Sequence, residues 1–246
     1  ATIWSSHLPE DFKPNCLIIA QDVENICIEG CGTLYGLGEE DLGRRAGVKT
    51  VMPKFRLNMV NIFNCKNVSI HGIKFLFSDA WTITLRNCED VIIDGITIKN
   101  NYFRTNSDGI DPVSCKNVII SNCNISAGDD CIVLKSNGNY PCQNVVVSNC
   151  TMESIATAVK LGTESPNDFR DIHFTNCTIR NTTVGIGIFL KDGGTIERVS
   201  FSNITVENCA VEGATNLEKT IYPIFVDIEK RNQDSRIGRI FDITFD

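Results

Sequence analysis

The chain has 246 residues, 42% of them hydrophobic and 22% charged, with a net charge of −7 at pH 7. That balance suits one large globular domain. The scattered Lys and Arg weigh against a nucleic-acid surface, and no run of about 18 apolar residues is present to cross a membrane as a helix. The opening ATIWSSHLPEDF lacks a basic stretch followed by an apolar block, so no signal peptide is visible, and the missing initiator Met reads as a trimmed chain.

Taken in order, Ala1 to Lys54 reads as a first coil followed by a Gly-rich, charged insertion, LYGLGEEDLGRRAGVKT, of surface-loop composition and a candidate cleft wall. Two coils are expected from Pro53 to Asn100. From there a repeat dominates. The segments KNVSIHGIKF, EDVIIDGITI, KNVIISNCNI, QNVVVSNCTM, RDIHFTNCTI and ERVSFSNITV superpose Val68, Val91, Val118, Val145, Ile172 and Val199, in one step of 23 residues and then steps of 27. A fixed period of this size signals a solenoid, and apolar residues alternating with period two make each unit a strand. NICIEGCGTLYG and FDITFD fit the same template. After the turn DGGTIERV the last regular coil runs to Asn208, and VEGATNLEKTIYPIFVDIEKRNQDSRIG reads as a polar insertion bordering a groove. FDITFD ends in mid-strand without a polar cap, so the single domain spanning 1–246 is expected to lack part of its terminal caps. The prediction is an all-β, single-stranded parallel β-helix of roughly eight coils, about 40 Å long at a strand spacing of about 4.8 Å.

Columns of the repeat account for most of the twelve cysteines. Ile96, Cys123, Cys150, Cys177 and Ile204 form one column; Cys88, Cys115, Cys142, Phe169 and Ile196 form another. Cysteines that alternate with Ile and Phe are expected as buried hydrophobes, with disulfides between coils left open. Gly95, Asn122, Asn149, Asn176 and Asn203 fall where each strand must turn, and Asn tolerates left-handed backbone. The sequons at Asn149, Asn176 and Asn203 are therefore expected in a buried amide ladder without sugars. His71 lies at a turn, His173 on a solvent-facing strand position and His7 near the start; none has a partner at metal-ligand spacing.

Between Thr105 and Lys135 the repeat carries Asp108, Asp111, Asp129 and Asp130, flanked by Ile110, Val113, Ile132 and Val133. Four acids at the rim of a packed core read as a site. Acetal hydrolysis with inversion needs a protonated carboxyl at the leaving oxygen and an ionised one about 6.5 to 9.5 Å away to activate water. Crowded carboxylates raise at least one pKa, which keeps an acid protonated. Trp81 stands one coil before Asp108, at a 27-residue step, as a candidate sugar-stacking platform.

The motifs NSDGID (Asn106 to Asp111) and GDDC (Gly128 to Cys131) resemble the NTDG-x-D and GDD motifs of the polygalacturonase family, glycoside hydrolase family 28. The likeness covers roughly Cys16 to Cys209 and implies a right-handed β-helix. By resemblance Asp129 is the general acid, and Asp108 with Asp130 is the base pair holding the water. Two family features are absent. Thr157 stands where the family has the His of GHG, and Phe189 replaces the Arg of Arg-Ile-Lys, leaving Lys191. Lys135, Lys160 and Lys191, near equivalent strand ends, are candidates for a replacement cationic patch.

The expected function is glycosidic-bond hydrolysis in a pectin-related polysaccharide or oligosaccharide, with inversion and without a metal or cofactor. Asp108, Asp129 and Asp130 are the catalytic set; Asn106, Asp111, Lys135, Thr157, Lys160, Phe189, Lys191 and Trp81 bind substrate. With Phe189 in place of Arg, a neutral or deoxy sugar such as rhamnose is expected at that position. A monomer with no nucleic-acid or membrane partner, secreted or periplasmic, is expected. The rivals are a β-helix polysaccharide lyase, which would need calcium and an Arg or Lys base, and a non-catalytic carbohydrate-binding β-helix.

Overall fold

A computed structural model describes residues 16–43, 56–208 and 221–246. His7, Cys209, residues 44–50 of the first expected insertion and residues 211–220 of the second lie outside that set. The described residues form a right-handed parallel β-helix. In chain order its strands are β1 (Cys16–Gln21), β2 (Glu24–Glu29), β3 (Thr33–Tyr35), β4 (Asn58–Phe63), β5 (Lys66–His71), β6 (Lys74–Leu76), β7 (Ile83–Arg86), β8 (Glu89–Asp94) and β9 (Thr97–Lys99). They continue as β10 (Ile110–Val113), β11 (Lys116–Ser121), β12 (Asn124–Ala127), β13 (Ile132–Leu134), β14 (Cys142–Ser148), β15 (Thr151–Thr163), β16 (Phe169–Leu190), β17 (Thr195–Asn208), β18 (Tyr222–Ile228) and β19 (Arg239–Phe245).

Each turn of the chain adds one rung to three faces. The first face stacks β1, β4, β7, β10 and β13, then the C-terminal halves of β15 and β16, then β18. The second carries the repeat: Ile26, Val68, Val91, Val118, Val145, Ile172, Val199 and Ile243 pair in unbroken register. Alternation puts these residues inside, where each column packs like on like. Phe174, Phe201 and Phe245 stack at 5.1 Å with rings 8° from parallel, close to the strand spacing that sets their separation. Cys123, Cys150 and Cys177 are at most 3% exposed, and every cysteine among the described residues is a free thiol.

Three sequence expectations need correction. The Asn column is exposed, not buried: Asn122, Asn149, Asn176 and Asn203 have φ between 51° and 56°, and a left-handed corner aims the side chain outward. Asn203 Nδ2 still bonds Asn176 Oδ1 at 2.7 Å. Leu34 and Tyr35 belong to β3 and not to the first insertion. Much of the second expected insertion is a rung, because β18 pairs with β16 from Val184↔Tyr222 to Leu190↔Ile228; its alternating IYPIFVDI was outweighed by polar flanks.

Candidate active site

The site lies at the start of the first face, where loops lead into β10 and β13. Register places Asp108 beside Trp81 on one side and Asp130 on the other: Thr82 N donates to Asp108 O at 3.0 Å, and Gly109 N to Asp130 O at 2.9 Å. Thr157 follows on the next rung, its carbonyl accepting Cys131 N at 3.1 Å. Two adjacent turns of one repeat thus bring together the acids of both motifs. Asp108 and Asp130 are 3% exposed and Asp129 is 7% exposed, so all three are buried almost completely just beneath the surface of this face.

Backbone groups fix Asp129. The Asn106 N–H donates to its Oδ2 at 2.9 Å, and the buried Ser154 hydroxyl donates to its carbonyl. Asn106 is held left-handed at φ 52°, and its side chain accepts from Arg56 at 3.2 Å. Asp130 Oδ2 accepts from Lys160 at 2.7 Å. Asp108 Oδ1 and Asp130 Oδ1 are buried without a hydrogen-bond partner, which leaves acceptor capacity for an incoming group.

Electrostatics follow from this crowding. Burial, then the charges of Asp111, Asp129 and Asp130, push the Asp108 carboxyl well above the usual carboxylate range. Asp130 is also raised by burial, against the pull of Lys160. Asp111 has no exposed surface and is pushed up to about 7 by burial, opposed by Lys135. With no surface for a substrate to touch, Asp111 faces Lys135 at 3.5 Å, whose ammonium also lies 4.2 Å over the Trp81 ring and 3.5 Å from Glu164.

The lysines do not share one column. Lys160 pairs with Val133 and Gly187; Lys135 follows Leu134, in line with Gly162 and Phe189; Lys191 lies beyond Leu190 and is paired with Glu229. Thr157 is buried, and Phe189 is half-buried beneath Lys160, 5.4 Å from its ammonium. Sequence reasoning missed Arg56, Arg104 and Asp79, a part-buried cluster under the 105–106 loop, because these residues stand outside the repeat and in no motif. It also missed Ser154 and Phe225.

A family model described as glycosyl hydrolases family 28 matches residues 5–237. The chain belongs to that family. A probable polygalacturonase of Arabidopsis thaliana is 33% identical over 119 residues, covering 48% of this chain and 24% of the relative. An exopolygalacturonase of Cochliobolus carbonum is 31% identical over 118 residues, 46% of this chain and 26% of the relative. This family 28 chain thus spans about a quarter of the length of the curated relatives it matches. Among solved structures, the exopolygalacturonase of Thermotoga maritima superposes with a TM-score of 0.66 at 25% identity, covering 80% of this chain and 56% of that one. The family 28 exopolygalacturonase of Yersinia enterocolitica shares the fold, with a TM-score of 0.67 at 17% identity over 91% of this chain and 47% of its own.

Proposed function

We propose that this family 28 chain hydrolyses glycosidic bonds of a pectin-related polysaccharide, with Asp129 as general acid and Asp108 with Asp130 holding the attacking water. The observation that carries the reading is the convergence of these three buried carboxyls on adjacent rungs, two of them with unpartnered oxygens. Burial and mutual repulsion raise Asp108 and Asp130, so the crowded carboxyls do not all ionise together and the cluster can share a proton. Lys160 opposes that effect at Asp130 and favours it as an ionised partner for water. The polygalacturonase names of the relatives support the substrate class.

The test is Asp129→Asn on a panel of pectic oligosaccharides. Turnover should fall by at least about a thousandfold, within the usual range for an acid/base group, while binding is spared. Wild-type protein should release reducing ends without a carbon–carbon double bond in the product. Unsaturated products, with activity abolished by EDTA, would instead establish a lyase. Binding without turnover in the wild type would establish a carbohydrate-binding module.

A further inference from the structure

Beyond Asp130 the outward side of the first face changes character. Lys160, 2.7 Å from Asp130, stands 5.4 Å over the ring of Phe189. Phe189 lies 5.2 Å from Phe225 with the rings tilted by 32°. The two rings come from β16 and β18, the second and third rungs after β13, so beyond the rung that carries Lys160 they form an apolar patch on two adjacent rungs about 4.8 Å apart. Gly187 makes room for it: a Cβ there would come 2.5 Å from Phe189 Cε2 and 3.0 Å from Thr157 Cγ2. With glycine at that position the Phe189 ring folds down onto the sheet. The product is a shallow shelf with an aromatic floor.

The charges around this shelf are already spent on one another. Lys160 is paired with Asp130, Lys191 with Glu229 and Arg231 with Asp192. Register also sets Asp227 directly beside Phe189. A carboxylate-bearing sugar placed here would lose hydration, face Asp227, and have to break an existing ion pair to gain a cation. A sugar with an apolar C–H face would cover the rings and ask for no cation.

We infer that the Phe189–Phe225 shelf is a subsite for a neutral or deoxy sugar ring of the polysaccharide, stacked on the aromatic floor next to the bond being cleaved. The inference rests on the reading that the neighbouring acids act on a pectin-related glycan. It makes the substrate a mixed chain, with a neutral residue at a fixed distance from the scissile bond, and not a plain run of uronates. One Lys, already engaged, does not reproduce the paired hydrogen bonds that an Arg gives a carboxylate, which is a discrimination of about ten- to a hundredfold.

The experiment compares a homogalacturonan oligomer with a rhamnose-containing pectic oligomer of equal length. Binding is measured by calorimetry on Asp129→Asn protein, and turnover on protein with Asp129 intact. The rhamnose-containing oligomer should bind at least about tenfold tighter. Adding Phe189→Ala should erase that preference and raise KM with kcat nearly unchanged, and Phe189→Arg should shift the preference towards homogalacturonan. If the Phe189 variants do not fold, Phe225→Ala should weaken binding of the rhamnose-containing oligomer in the same sense. Preference for homogalacturonan, equal binding of the two, or a preference that survives loss of the ring overturns the inference. A wild type that shows the binding preference but cleaves neither oligomer overturns the hydrolase reading and leaves the shelf standing.

Discussion

The ammonium of Lys135 lies 3.5 Å from Oδ1 of Asp111, a carboxylate with no exposed surface whose oxygens have no hydrogen-bond partner. The pair is geometrically loose for one so deeply buried. Its sense is electrostatic: with Glu164 on its other side, the buried Asp111 holds in place the cation that lies over the Trp81 ring.

The pH dependence of stability follows from that burial. Asp111 is pushed up to about 7 in the folded chain, above an unfolded value of about 3.9. Its contribution is therefore fully present below about pH 4 and is lost as pH rises through about 7. Between those limits it should remove stability on the order of a few kcal/mol. Urea denaturation from pH 4 to 8 should show that decline, and Asp111→Asn should make it shallower, leaving the part that Asp108 and Asp130 contribute in the same sense; parallel profiles for the two proteins would contradict the assignment. Lys135→Met, which strands the carboxylate, should cost about 3 to 5 kcal/mol at pH 8.

Arg56 should set the position of Asp129, the proposed general acid, without touching substrate. It donates to Thr105 O at 2.5 Å and to the Asn106 side chain at 3.2 Å, and the Asn106 N–H binds Asp129 Oδ2. Arg56→Ala should lower kcat about ten- to a hundredfold, the usual penalty of a misplaced group, with a smaller change in KM. Arg56→Lys should recover part of the rate; an effect confined to KM would contradict a positioning role.

The fold was legible wherever the repeat was regular. The Val68-to-Val199 column is the interior column of the second face, because alternation and a fixed coil length leave one register that buries every member of that column. A second left-handed column, Asn25, Asn67, Asp90, Asn117, Asn144 and Asp171, stood in the same aligned segments as the residue before each Val or Ile. It passed unread because a bend just before the buried stretch carries no hydrophobic signal. The acids were legible through their motifs. Arg56 and Asp79 were not, since their contacts span 23 to 49 residues and follow from where loops of different coils meet. Phe225 was hidden for a different reason: its strand follows a long polar stretch that breaks the 27-residue count.

The cysteine columns make a prediction about packing. Cys150 is 1% exposed between Cys123 and Cys177, and its thiol is pushed up to about 12 by the neighbouring Cys123. It is a hydrophobe in a column that begins and ends with Ile. Cys150→Val should cost less than about 1.5 kcal/mol, whereas Cys150→Ser, which buries a hydroxyl, should cost about 1 to 3 kcal/mol. Denaturant midpoints of the two variants decide the matter, and equal losses would mean that the thiols contribute through polar contacts. An alkylating reagent should modify Cys123, Cys150 and Cys177 only after unfolding.

Gly128, the first residue of the second acid motif, should be as intolerant of change as the acids. A Cβ there would run into the carbonyls of Asn101 and Arg104 and come 2.5 Å from Ser107 Oγ. Two of those atoms are backbone and cannot swing aside, so a side chain must push the 101–107 loop away. That loop is bound to Gly128 already: the Ser107 hydroxyl donates to Arg104 O at 2.8 Å and accepts Gly128 N at 3.1 Å. Its displacement would carry Asn106 off Asp129 and change the spacing between Asp108 and Asp129 together. Gly128→Ala should therefore lower kcat about a hundredfold or more, with a loss of stability of about 1 to 3 kcal/mol from overpacking. Gly32→Ala, where nothing lies within 4 Å of the added carbon, serves as the control and should leave both unchanged. Wild-type turnover in Gly128→Ala would show that the two acid motifs are not held together through this contact.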